Sequence, residues 1–142
     1  MRSPPNIGEL LRDPYMIIGD WLYGRIAEAG YPDIRPAHGS VFQYMGDEGS
    51  RVTELAERAL VTKQTMGYLV DNLEERGYVE RKPDPQDGRA KIVRLTDKGR
   101  ELVRVVREII AGIEAEWAKG LGEERMELLR GLLEDLNTVA KE

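Results

Sequence analysis

Thr62, Lys63, Gln64, Thr65 and Tyr68 stand close together at the start of one periodic segment, and they carry the donors and acceptors suited to base edges and phosphates. A glutamine amide pairs with adenine through both of its polar atoms, a lysine reaches a guanine edge or a phosphate, and a threonine methyl packs on thymine. No acid precedes Asp71 in this segment, so nothing in its first turns repels a phosphate backbone. Further along, residues 76–94 hold six cations (Arg76, Arg81, Lys82, Arg89, Lys91 and Arg94) against the three acids Glu80, Asp84 and Asp87. Arg89 follows a Pro- and Gly-rich stretch, where a guanidinium can enter a narrow minor groove, and Asp87 stands two residues earlier to orient it by an ion pair. Lys91 adds a second cation for a phosphate nearby.

These side chains need elements to present them. Thr62 is placed to cap a helix running to Arg76, in which Met66, Leu69, Val70 and Leu73 follow the i, i+3, i+4, i+7 pattern of a buried stripe, and Gly77 ends it. The opposite face then carries Gln64, Tyr68, Asp71 and Glu75, flanked by Thr65 and Asn72. Tyr68 either meets nucleic acid or tucks in at the rim. Arg76 is expected to cap the helix C-terminus, and Asp71, Glu74 and Glu75 to form a solvated face. Upstream, residues 50–52 suit a short extended piece, and Thr53 an N-cap for a helix over 54–59. The two helices, joined by a tight turn, form a helix–turn–helix. Residues 78–82 and 91–95 alternate apolar with polar residues, and the turn formers of 83–90 between them predict a β-hairpin with a long tip.

Helices flank this centre. Leu10, Ile17, Ile18, Trp21, Leu22 and Ile26 predict a first helix over about 9–29, kinked or restarted at Pro14, and Pro36 opens a short second one ending at Gly46. A long helix begins at Thr96, and Gly120-Leu121-Gly122 separates it from a last helix carrying Met126, Leu129, Leu132, Leu133, Leu136 and Val139. The expected fold is mainly α with a small β-hairpin wing (α+β), a winged helix–turn–helix over 36–96 between helical regions at 1–35 and 97–142.

At 142 residues, 41% hydrophobic and 33% charged, the chain can bury one core. Its net charge of −5 excludes a polyanion-binding argument for the whole chain, so any such surface is local. Residues 51–98 carry ten basic and nine acidic side chains, and the acidity lies outside them. With no cysteine and one histidine, disulfide, thiol and clustered metal chemistry find no ligands here. No Gly-rich phosphate loop, metal-ligand spacing or nucleophile–base pair is visible, so the reading is of a non-enzyme with no catalytic residue, metal or cofactor. The N-terminus lacks the apolar stretch of a signal peptide and the longest apolar run, residues 15–18, cannot span a bilayer, which predicts a cytoplasmic protein with no membrane partner.

The central stretch resembles the MarR family of winged helix–turn–helix regulators. The resemblance rests on Val52-Thr53-Glu54-Leu55-Ala56, on Thr62-Lys63-Gln64-Thr65, on Leu73-Glu74-Glu75-Arg76-Gly77-Tyr78-Val79-Glu80-Arg81, on Asp84-Pro85-Gln86-Asp87-Gly88-Arg89, and on the exit Leu95-Thr96-Asp97-Lys98-Gly99. It implies a homodimer built from the N- and C-terminal helices, presenting two recognition helices to an inverted-repeat operator in double-stranded DNA. The apolar stripes beyond Leu102 and Met126 exceed what one small lobe can bury, which agrees. It further implies release of DNA by a small aromatic or anionic effector, for which Trp21, Tyr23, His38 and Phe42 are the aromatic candidates. Core packing is the alternative for Trp21 and Phe42, and a packing or solvated role for His38. A winged-helix module that binds protein without specific DNA binding is the competing functional reading.

Overall fold

Asn6 sets the start of the first helix, ahead of the apolar repeat. Its side chain accepts from the Glu9 N–H at 3.0 Å while the Glu9 carboxylate accepts from the Asn6 N–H at 2.9 Å, so two orphan donors are satisfied reciprocally. The computed structural model describes residues 2–142. From this cap, α1 (Ile7–Glu28) runs as one element through Pro14. Of the kink or restart expected at Pro14, the restart does not occur: a helix already nucleated carries the missing N–H and the ring's crowding of the preceding turn.

A 3₁₀ turn, Pro36–His38, leads into the short α2 (Gly39–Tyr44). The helix–turn–helix follows as α3 (Val52–Ala59) and α4 (Lys63–Glu75). Thr53 is not the N-cap of α3: Arg51 is, its N–H held by the Glu54 carboxylate at 3.1 Å. The extended piece expected over residues 50–52 reduces to a single bridge between Ser50 and Val93. Thr62 does cap α4, its hydroxyl accepting from the Thr65 N–H at 3.0 Å.

The strands β1 (Val79–Asp84) and β2 (Asp87–Leu95) pair antiparallel from Val79 opposite Leu95 to Pro83 opposite Lys91. Pairing then slips and resumes at Asp84 opposite Asp87, so Pro85 and Gln86 alone turn the chain. The long tip predicted over 83–90 is therefore mostly strand, with Gly88, Arg89 and Ala90 as surplus residues on β2. After Thr96, α5 (Asp97–Leu121) and α6 (Glu123–Ala140) complete the chain. Gly99 lies where α5 meets the start of β1: a Cβ there would stand 2.1 Å from the Tyr78 carbonyl oxygen. Only a residue without a Cβ therefore fits at this position in the first turn of α5.

The chain divides into two compact units, Met1–Val106 and Arg107–Glu142. The first holds a continuous core in which Ile26, Val41, Leu55, Met66, Val70, Leu73, Tyr78, Val79, Val93 and Leu102 are essentially inaccessible. The stripe predicted for α4 is thus buried as expected. In the second, Glu114 and Arg130 form an ion pair at 3.1 Å between the end of α5 and α6, and no residue of α6 is buried.

Candidate nucleic-acid interface

The core side chains of α4 fix its rotation, so the opposite face is displayed by default. Thr62, Lys63, Gln64, Thr65 and Tyr68 are all exposed, Tyr68 at 70%. Tyr68 is therefore not tucked under the rim. The side chains of Lys63, Gln64 and Tyr68 have no hydrogen-bond partner among the described residues, whereas the Thr62 hydroxyl, besides capping, is hydrogen-bonded to that of Thr65 at 2.9 Å. The first turn of α4 carries no acid, and its N–H groups point the way an anion would approach.

The far end of the same helix is occupied. Arg81 of β1 reaches Glu74 and Asp71, each at 2.7 Å, and its own N–H donates to Glu74. Of the three acids expected to face solvent, two therefore hold the wing against α4, which sequence spacing alone could not show. Asn72, expected to flank the exposed face, is half-buried and accepts from His38 at 2.9 Å. The Arg76 guanidinium donates to the Asp33 carbonyl, and Tyr78 donates to the Asp33 carboxylate at 3.0 Å. Burial first, then this bond to Asp33, pushes the Tyr78 hydroxyl well above the ordinary tyrosine range.

The six cations of the hairpin region sort the same way. Arg81 is paired as above, and Arg94 lies across the strands from Glu80, to which it is bonded at 2.9 Å. Arg51, which no sequence pattern singles out, grips Asp84 through two nitrogens at 2.7 and 3.0 Å and so ties the wing tip to the start of α3. The Gln86 N–H and Arg51 together hold the Asp84 carboxyl below its usual pKa. What remains for a partner is Lys82, Lys91 and Arg89. Arg89 projects from the slipped part of β2 with its side chain 97% exposed, steadied by Asp87, whose carboxylate accepts from its backbone N–H at 3.1 Å and stands 3.5 Å from its Nε. The ion pair expected between these two is present.

The four aromatic candidates for an effector are differently placed. Trp21 is 38% exposed on α1 with the Arg25 guanidinium over its ring at 5.5 Å. The Tyr23 hydroxyl donates to the Pro36 carbonyl at 3.4 Å, and burial raises its pKa. Phe42 packs edge-on against Tyr78, with centroids 6.5 Å apart. His38 is buried with both ring nitrogens engaged. A hollow of about 320 Å³ lies elsewhere, between the start of α3 and β2, lined by Arg51, Thr53, Arg81, Lys91 and apolar neighbours. No group of three metal-ligating side chains occurs, and no helix is long and apolar enough to cross a membrane, among the described residues.

Comparison with known proteins meets this geometry from outside. Residues 33–90 match the profile described as the MarR family. The transcriptional regulator HosA of Escherichia coli O111:H- is 30% identical over 103 residues, covering 72% of this chain and 76% of HosA. The exopolysaccharide II synthesis transcriptional activator ExpG of Rhizobium meliloti (strain 1021) is 28% identical over 99 residues, 70% of this chain but only about half (51%) of ExpG. Among solved structures, the transcriptional repressor CouR bound to a 23-mer DNA duplex shares the fold with a TM-score of 0.73, over 93% of this chain and 92% of that one, at 24% identity.

Proposed function

The chain belongs to the MarR family of transcriptional regulators, and on that premise we propose that it is a homodimeric repressor binding double-stranded DNA at an inverted-repeat operator. Each half-site would meet one α4 in the major groove, with Thr62, Lys63, Gln64, Thr65 and Tyr68 at the bases and nearby phosphates, while Arg89 and Lys91 of the wing engage the flanking backbone or minor groove. One observation carries this reading: the N-terminal half of α4 displays Lys63, Gln64 and Tyr68 exposed and without an acid among them, while Asp71, Asn72 and Glu74 of its C-terminal half are bonded within the fold.

A second copy of the chain is the cover we propose for two apolar stripes. On α1, Ile7, Leu10, Ile17 and Trp21 are between 38% and 68% exposed, and on α6, Leu128, Leu132, Leu136 and Val139 between 40% and 62%. Stripes of this length are costly to leave in water and belong at a stable interface. A dimer spanning two successive grooves excludes other proteins from that stretch of duplex, which supports repression. A small aromatic or anionic effector belongs to the same proposal, acting by a population shift between DNA-competent and incompetent dimers. Of the four aromatic candidates we take Trp21 and Tyr23 of α1 as the side chains to meet it, a choice supported by the burial of His38 and the packing of Phe42 on Tyr78.

The test is selection of bound duplexes from a random library by the purified protein at two salt concentrations. An enriched inverted repeat, bound far less tightly at the higher salt, is the expected result. No enrichment at either salt would replace this reading with a winged-helix module that binds protein.

A further inference from the structure

His38 is the only histidine of the chain, and it is 4% exposed. It ends the 3₁₀ turn that packs against α4. The backbone N–H of Arg35 donates to its Nδ1 at 2.9 Å. An N–H can only donate, so Nδ1 is unprotonated and the proton of the neutral ring sits on Nε2. That Nε2–H then donates to the Asn72 Oδ1 at 2.9 Å, on the recognition helix itself. One imidazole thus joins two segments 34 residues apart. The bond to Asn72 could be donated by either protonation state, but the seat on the Arg35 N–H exists only for the neutral ring.

A second proton has to go on Nδ1, where it would face the Arg35 N–H donor to donor. The charged groups around the ring do not welcome it. Arg35 on its own turn and Arg76 at the end of α4 oppose the imidazolium, and Asp33 alone favours it. The facing α2 segment bears no charged side chain, and Tyr23 of α1, bonded to Pro36, stays neutral with its pKa raised. Burial above all, with the two arginines, draws the His38 pKa below 6.5, against the opposing pull of the Asn72 bond.

We propose that His38 is a positioning residue for DNA recognition: neutral, it is seated on the Arg35 N–H and from that seat holds α4 through Asn72, whereas a proton on Nδ1 faces the Arg35 N–H and drives the ring from the seat, loosening the hold on α4, so duplex binding weakens as the histidine titrates. The inference rests on the DNA-binding reading above but concerns a residue that the reading leaves without a part in contact. Its sign follows from linkage. The DNA-bound state holds fewer protons than the free or loosened state, so affinity rises with pH, by at most tenfold per pH unit for one proton, and levels off above the titration. Folding stability runs the same way, since the native ring resists a proton that the unfolded ring accepts. Between pH 5.5 and 7.0 no other side-chain type of this chain has its ordinary pKa, so the window isolates His38.

The experiment measures affinity for the library-selected duplex across that window, for the full chain and for His38→Gln. A glutamine keeps an N–H for Asn72 and cannot titrate. The wild-type protein is expected to lose affinity toward the acid end of the window, by less than tenfold per pH unit because the ring's pKa is already lowered in the free protein. His38→Gln is expected to bind within about threefold of wild type at pH 7.0 and to show no slope. Should the variant not fold, the single histidine gives one set of ring C–H resonances, and the ring pKa they report in wild type is expected to be lower in the duplex complex than in the free protein. Equal pKa values in the two states, or a wild-type slope surviving in His38→Gln, would overturn the proposal while leaving DNA binding intact. Absence of any duplex binding at pH 7.0 would instead remove the DNA-binding reading, and this inference with it.

Discussion

The two halves of α4 are built from similar polar residues and use them in opposite ways. In the C-terminal half, Asp71 and Glu74 hold Arg81, Asn72 holds His38, and the capping Arg76 reaches the Asp33 carbonyl. In the N-terminal half, Lys63, Gln64 and Tyr68 stand in solvent with no partner among the described residues. The wing repeats the division, with Arg81 and Arg94 paired near its base and Arg89 extended at its tip. A polar side chain already bonded within the fold positions the element. One held out on a rigid scaffold, at a cost in side-chain freedom only when it binds, is available for recognition. The helix is therefore clamped at one end and left free at the other.

Substitutions can break that division or sharpen it. The largest effect belongs to the shared core beneath both halves: Leu73→Ala should cost about 2–5 kcal/mol of folding stability by denaturant titration, because the leucine is fully buried. Next, Arg89→Ala should weaken binding of the selected duplex by about 1–3 kcal/mol and shift the denaturation midpoint hardly at all, its side chain being exposed. A large stability loss there would mean that the tip is part of the fold. Thr62→Ala removes the cap of α4 and should cost about 1 kcal/mol of stability, with a loss of affinity from fraying of the first turn and from the missing hydroxyl contact. Smallest of all, Arg94→Ala breaks a partly exposed cross-strand pair and should change stability by less than about 1 kcal/mol, leaving affinity alone.

Much of this division is legible in the amino-acid sequence, for specific reasons. The buried stripe of α4 is a strict helical repeat, the Thr62 cap is a local signal, and the acid-free first turns are visible as composition. The start of α3 is displaced in a sequence reading because Thr53 has the side chain of a cap, although Glu54 three residues after Arg51 carries the stronger half of a capping signal. The hairpin tip reads as too long because Pro, Asp and Gly mark turns, while the strand that runs out to Asp84 is met there by Arg51, which is 33 residues away. Long-range polar bonds of this kind, His38 to Asn72 and Arg81 to Asp71 and Glu74 among them, have no sequence period, and so the clamp on α4 is visible only in the folded chain.

The most direct test of the division compares duplexes selected from a random library by the wild-type protein and by Gln64→Ala. If the exposed half of α4 reads bases, the variant should still enrich an inverted repeat but lose its preference at one position in each half-site, by about 1–3 kcal/mol of discrimination, symmetrically in both. An unchanged base preference at every position would contradict the account, placing sequence readout outside the face of α4 that the fold leaves free.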